Sequence, residues 1–350
     1  MKDRTFIILT PGFPADEQDS TCLPAQQSFV KALKNNFPDL NIIILAFQYP
    51  FSKQEYLWNG IQVIPFNGRN KGKLSRIVTW IKVWRTLKKL KTENHPIDLF
   101  SFWYGECALL GKRFSERYNA KHLTWLLGQD ARAKNKYVKW LHPKAEELVA
   151  MSVFLSQEFE RNYVLRPKFV VPNGVDPHLF SASLMERDLD ILGVGSLIPL
   201  KMYDIFIDII EELKSQFPFI KASICGKGEE FSVLQSMIVK KRLSDTIELA
   251  GEKSHPEVLQ MMQRSKIFLH PSSYEGFSGA CLEALYAGAH VISFCNPMDK
   301  KISHWHIVHN KEEMIQKVIA ILNNPNVDYS PVLPFSMDDS AKAVMQLFHR

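Results

Sequence analysis

Nowhere does this chain of 350 residues approach the roughly 20 consecutive apolar residues that a membrane-spanning helix needs. Its first residues, Met1-Lys-Asp-Arg-Thr, lead into only about five apolar ones, too few for the core of a secretory signal peptide. Cysteine is scarce. The five residues Cys22, Cys107, Cys225, Cys281 and Cys295 are scattered and odd in number, which argues against a disulfide framework. With no Cys-x-x-Cys pair and no Cys/His cluster, zinc-site spacing is missing too. There is no low-complexity tract and no repeat of fixed period. These absences predict a cytoplasmic protein with reduced thiols.

What is present is a globular composition, 46% apolar and 23% charged, in a chain too long for one ordinary core, so two domains are expected. The net charge of +6 is modest, but its distribution is uneven. From Arg69 to Lys91 there are nine basic residues and no acidic one. Leu74, Ile77, Val78, Ile81, Trp84 and Leu87 recur through the same stretch at helical spacing. Two readings follow: an ordinary surface helix packed by its apolar stripe, or a basic amphipathic face resting on anionic lipid. No nucleic-acid recognition motif accompanies the charge, so nucleic acid is not an expected partner.

Apolar runs alternate with helical patterns along the chain. Strands are predicted at Thr5–Thr10, Asn41–Ala46, Ile61–Ile64, Ile97–Ser101, His122–Leu127 and Glu147–Met151. A second series follows at Asp190–Gly195, Ile220–Cys225, Thr246–Ala250, Ile267–Leu269 and His290–Phe294, with helices between. The fold class is therefore α/β, two Rossmann-like halves built on parallel sheets. The turn signal Pro172-Asn-Gly marks the connecting region. In open sheets of this kind ligands sit beyond the carboxyl ends of the strands.

The most informative stretch is Pro271-Ser-Ser-Tyr-Glu-Gly-Phe-Ser-Gly-Ala-Cys-Leu-Glu283, running on to Ala287-Gly-Ala-His-Val-Ile292. Glu275 lies on a loop before a helix predicted over Gly279–Tyr286, and Glu283 follows about two turns on from Glu275, facing the same crevice. The first amides of such a helix attract phosphate, and carboxylates beside them can bind sugar hydroxyls. The bland alternative is a pair of solvated surface carboxylates. The stretch resembles the glutamate-x7-glutamate signature of retaining glycosyltransferases of the GT-B fold, family 4. It departs at Ser278, where the family has Gly, and at Gly279, where an aliphatic residue is usual. Val170-Val-Pro-Asn-Gly-Val-Asp176 and Phe180 resemble the family's entry into the donor domain, and Gly193-Val-Gly-Ser-Leu-Ile-Pro-Leu-Lys201 its diphosphate-holding strand end. There Lys201 matches the family's Lys, and Ser196 stands where it has Arg.

The resemblance implies two Rossmann-like domains facing across a cleft. They would be an acceptor domain over 1–166 and a donor domain over 167–333, with a C-terminal helix at 334–350 returning to the first. It implies catalytic roles for Glu275 and Lys201. Donor contacts fall on Ser196, Gly228, Gly276, Phe277, Ser278, Gly279 and Glu283, with Glu283 on the ribose and Glu275 on the transferred sugar. On the acceptor side it implies Gly12, Trp103, Asp130 and Arg132. Ser101 and Trp103 occupy the places of a His-x-His pair, and Leu127 that of a further His. The implied reaction moves a hexose from a UDP- or GDP-sugar to a saccharide or lipid-linked saccharide. Anomeric configuration would be retained, with no cofactor or metal and the nucleotide sugar as cosubstrate. The expected setting is cell-surface polysaccharide or glycolipid synthesis, on the inner membrane face through Arg69–Lys91. A nucleotide-sugar epimerase of the same fold and a non-catalytic nucleotide-sugar-binding protein are the alternatives.

Overall fold

The computed structural model describes residues 4–93, 96–181 and 185–349. The chain divides into two compact units, Met1–Gly174 with Met337–Arg350, and Val175–Ser336. The division falls within Val170–Asp176, eight residues beyond the expected 166. A short strand after 166, Phe169–Val170, still pairs in the first sheet.

The first unit contains β1 (Thr5–Gly12), α1 (Pro24–Asn36), β2 (Asn41–Tyr49), β3 (Tyr56–Trp58), β4 (Ile61–Pro65) and α2 (Lys73–Glu93). It continues with β5 (Ile97–Phe102), α3 (Glu106–Tyr118), β6 (Lys121–Leu126), α4 (Lys136–Leu141), β7 (Leu148–Ala150), α5 (Val153–Tyr163) and β8 (Phe169–Val170). The sheet order is β3-β4-β2-β1-β5-β6-β7-β8, and only β3 runs antiparallel to its neighbour. Central strands are buried on both faces, so they read as unbroken apolar runs rather than alternating ones. The order reverses at β1, which lies between β2 and β5.

The last helix of the chain belongs to this unit and packs with α1 on one face of the sheet. Its Phe348 ring stands edge-on to Phe6 at 5.0 Å, and the Ser340 hydroxyl donates to the Pro172 carbonyl at 2.8 Å. On the other face α2 and α3 cover the sheet. Of the two readings of the α2 stripe, inward packing fails for most of it. Its inward side is Thr79, Val83, Leu87 and Leu90, while Leu74, Ile77, Val78 and Ile81 face solvent. Leu87 alone of the expected stripe is fully buried, and Trp84 is partly so.

The second unit contains β9 (Leu189–Val194), α6 (Tyr203–Lys214), β10 (Ala222–Cys225), α7 (Phe231–Lys240), β11 (Ile247–Gly251) and α8 (His255–Arg264). It ends with β12 (Ser265–His270), α9 (Gly279–Tyr286), β13 (His290–Ser293), β14 (Trp305–Ile307) and α10 (Lys311–Leu322). By this count the C-terminal helix Met337–His349 is α11. All pairings are parallel, in the order β11-β10-β9-β12-β13-β14. This is the doubly wound order of dinucleotide-binding sheets, with its reversal between β9 and β12.

One buried group in the first unit makes a stability prediction. His122 on β6 is buried, its Nε2 2.9 Å from the Ser101 hydroxyl. Burial pushes its imidazole down to about 3, and Lys112 adds to the effect. As pH falls below about 6.5 the unfolded chain therefore takes up this proton before the folded one, and stability is lost. In urea titrations His122→Gln should lose less stability than the parent between about pH 6.5 and about pH 4.5. Equal losses over that interval would show that His122 does not fold as a neutral group.

Candidate active site

The reversal in the second sheet sends the connections after β9 and β12 to opposite sides and leaves a crevice at their carboxyl ends. Two loops meet there. Ser273, on the loop after β12, donates both its N–H (3.0 Å) and its hydroxyl (3.2 Å) to the carbonyl of Leu200, on the loop after β9. Beside this tie, Lys201 Nζ donates to Glu275 Oε2 at 2.5 Å, with the two side chains 16% and 20% exposed. His270, the last residue of β12, is 3% exposed and brings Nε2 to 3.5 Å from the same carboxylate oxygen. That nitrogen completes no hydrogen bond among the described residues.

Burial pushes the Glu275 carboxyl up, but the His270 imidazole and the Lys201 ammonium pull it further down, to about 2. Burial also holds His270 below its ordinary value, against the pull of Glu275 and with the help of Lys201. Glu275 is thus a carboxylate at neutral pH, and His270 is held toward its neutral form.

Backbone packing shapes the loop after β9. Gly195 N–H donates to the Cys225 carbonyl at 3.0 Å and Leu197 N–H to that of Lys227 at 2.9 Å. A Cβ at Gly226 would stand 1.8 Å from the Gly195 carbonyl oxygen, and one at Gly228 2.1 Å from that of Leu197. Gly228 thus lets two loops touch. The Tyr203 hydroxyl, at the start of α6, is buried without a hydrogen-bond partner among the described residues, and a Gly195 Cβ would lie 3.2 Å from it. Ser196 is exposed on this loop.

Helix α9 opens from the second loop. Ser278 is its N-cap, the hydroxyl accepting the Cys281 N–H at 3.3 Å. The Phe277 ring is buried between Trp305, at 6.2 Å, and Phe335, at 5.7 Å. Gly276 is buried, and Gly279 is the first helical residue, so its amide precedes the first intrahelical hydrogen bond. Glu283, one turn into the helix, puts Oε1 2.8 Å from Nε2 of His255, the first residue of α8. The two glutamates therefore answer to different connections: Glu275 to Lys201 after β9, and Glu283 to His255 after β11.

The acceptor-side candidates lie in the first unit. Gly12 ends β1 and Trp103 follows β5, so both stand at the carboxyl ends of the strands flanking that sheet's reversal. Trp103 holds a left-handed backbone, φ 65°, and its N–H donates to the Trp125 carbonyl at 3.1 Å. A bulky residue there is a strained exception. Asp130 is buried, and its Oδ2 accepts the N–H groups of Tyr104 (2.8 Å) and Leu127 (2.9 Å). Burial pushes its carboxyl up to about 7 against those two amides. Arg132 is half-buried two residues on.

The Asp-x-Asp spacing of Asp188 and Asp190 sits at the amino end of β9, remote from Lys201 along the strand, and pairs with Arg264 (2.6 Å) and Lys266 (2.7 Å). No group of three or more His, Cys, Asp or Glu side chains among the described residues is arranged to hold a metal ion. Three participants escaped the sequence reading: His270, His255 and the Tyr203 hydroxyl. His270 closes an apolar run just before Pro271 and reads there as the end of a strand. The other two reveal themselves only through partners distant in sequence.

Residues 177–330 match the family described as Glycosyl transferases group 1. Over 275 residues the chain is 26% identical to an uncharacterized glycosyltransferase of Methanocaldococcus jannaschii, covering 76% of this chain and 73% of that protein. It is 29% identical over 164 residues to the gpi3 subunit of the Schizosaccharomyces pombe phosphatidylinositol N-acetylglucosaminyltransferase, covering 45% of this chain but only 36% of that one. Among solved structures, the Anabaena protein HepE in complex with UDP-glucose aligns with a TM-score of 0.69 over 99% of this chain and 98% of its own, at 15% identity. That last likeness is one of fold. The two parallel-sheet units have the fold seen in GT-B glycosyltransferases, and residues 177–330 resemble the glycosyl transferases group 1 family.

Proposed function

We propose that this protein transfers a hexose from a UDP- or GDP-sugar to a saccharide or lipid-linked saccharide, with retention at the anomeric carbon, in polysaccharide or glycolipid synthesis. The observation that carries the reading is the Lys201–Glu275 pair at the sheet reversal, 2.5 Å apart and beside the first amides of α9. A cation and a helix N-terminus at a switch point suit a diphosphate. The UDP-glucose bound by HepE and the sugar transfer named for the Schizosaccharomyces pombe relative agree with it.

On this reading the donor diphosphate takes Lys201 from Glu275. Lys201 and the α9 amides then stabilise the charge that develops on the leaving diphosphate, the electrostatic contribution that is often largest in enzymes. Glu275, released from Lys201, accepts a hydroxyl of the transferred sugar, and Glu283, oriented by His255, accepts from the ribose. The bond from C1 to the phosphate oxygen breaks on the face where the bond from C1 to the acceptor oxygen forms. The acceptor proton passes to the departing diphosphate, so no separate general base is assigned. Charge neutralisation rests on Lys201 and the helix amides, and the reading calls for neither metal nor cofactor.

Incubation with labelled UDP- and GDP-hexoses tests it. Acceptor-dependent release of nucleoside diphosphate, with product of unchanged anomeric configuration by NMR, is expected. Acceptor-independent release with an altered sugar would favour the epimerase, and binding without release a non-catalytic protein.

Glu283→Ala should weaken binding of the free nucleoside diphosphate by ~1.5–3 kcal/mol, tenfold or more, with the fold intact. Unchanged affinity by calorimetry would remove Glu283 from the site.

His270 acts here as a positioning residue: its Nε2–H is placed to hold the Glu275 carboxylate once Lys201 has left it. His270→Phe should lower kcat by about tenfold, the scale of one hydrogen bond to a charged group, with donor KM little changed. His270→Gln, which keeps an N–H donor, should recover most of that loss. Equal losses in both variants would reduce His270 to packing.

A further inference from the structure

Helix α2 carries apolar residues on two sides. Thr79, Val83, Leu87 and Leu90 are buried in the first unit. On the other side Leu74, Ile77, Val78 and Ile81 are 81%, 46%, 51% and 47% exposed. Their spacing of i, i+3, i+4 and i+7 lays them along one stripe. The same period carries that stripe on to Arg85, Lys88 and Lys89, with Lys82 at its border, and all four are exposed. The face is thus aliphatic over its first two turns and cationic over the next two. Glu93, 3.7 Å from Lys89, is the one carboxylate paired with these four cations among the described residues.

We infer that this face of α2 docks on an anionic phospholipid bilayer. The aliphatic half enters the boundary between headgroups and acyl chains, and the cationic half lies on the lipid phosphates. Single exposed aliphatic residues are ordinary on protein surfaces. Four in register, continued by cations, form the pattern of a helix lying in a membrane interface. Other occupants fit less well. A nucleic-acid backbone would engage the cations, yet leave the four aliphatic side chains in water with no exposed aromatic ring on the stripe for bases to stack on. A second copy of this chain would bring like charge to a basic face. No helix among the described residues is long and apolar enough to cross a membrane, so the contact inferred is with a bilayer surface.

Flotation of the full chain with phosphatidylcholine vesicles, with and without phosphatidylglycerol, tests the inference. Recovery is expected on the anionic vesicles and not on the neutral ones. It should fall as salt rises from about 0.15 M to about 1 M, where the screening length shrinks from about 8 Å to about 3 Å. Replacing Lys82, Lys88 and Lys89 together by Ser should weaken partitioning on the order of 100-fold, from roughly fivefold per cation. Ile77→Ser with Ile81→Ser should weaken it about tenfold at an unchanged thermal midpoint, because both residues are exposed. Equal recovery on both vesicle types, or none on either, overturns the inference. So does an Ile77→Ser/Ile81→Ser variant that binds anionic vesicles as well as the parent. The face would then be electrostatic only, suited to an acidic protein or a nucleic acid.

Discussion

An ammonium and a carboxylate 2.5 Å apart, each mostly out of water, stand where the order of the second sheet reverses. Such a pair is poor material for stability. Desolvating two charges costs about as much as their attraction returns, and a well-packed apolar pair of the same volume would do as well or better. Removing one partner alone is another matter, at roughly 3–5 kcal/mol, because the other is left buried and uncompensated. A pair that is nearly neutral when intact and costly when broken suits a site whose ligand brings its own charge. On the proposed reading, a diphosphate arriving at Lys201 would replace one anion by another and leave no cation unpaired.

The remaining features of the second unit fix the geometry on which the proposed exchange depends. Parallel pairing brings the carboxyl ends of β9 and β12 side by side. Ser273 then fixes the two loops through one carbonyl, and Gly226 and Gly228 let the neighbouring loops approach to contact. His270 brings a buried ring nitrogen to 3.5 Å from the same Glu275 oxygen that Lys201 occupies. With its carboxyl held at about 2, Glu275 stays ionised throughout the physiological range, so its part in the proposed reaction is as an acceptor of hydrogen bonds rather than of protons.

Long apolar runs made the parallel sheets legible. Each central strand is buried on both faces, and the helices between them keep a clear 3.6-residue period. Short edge elements left too little pattern. β3 and β14 have three residues each, too few to establish a period. α5 carries little sequence signal although Ser152 caps it, because its inward face mixes Leu155 and Phe159 with Ser156 and Glu158. In α2 the period was legible and the facing was not: the sequence holds two apolar stripes, and only tertiary packing decides which one turns inward. Around the site, Lys201 and Glu275 were readable from their motifs. Their contact, and the hands of His270 and His255 on the two glutamates, join residues on different strands, and no local pattern encodes them.

The central claim is that Lys201 exchanges Glu275 for a diphosphate, and a double-mutant cycle on calorimetric binding of the free nucleoside diphosphate tests it most directly. Lys201→Met should weaken binding. Glu275→Gln should leave it unchanged or tighten it, because the competing anion is gone. The double variant should be as weak as Lys201→Met alone. If Glu275→Gln weakens binding of the free diphosphate, and does so equally in the Lys201→Met background, then Lys201 and Glu275 act independently and the exchange does not occur.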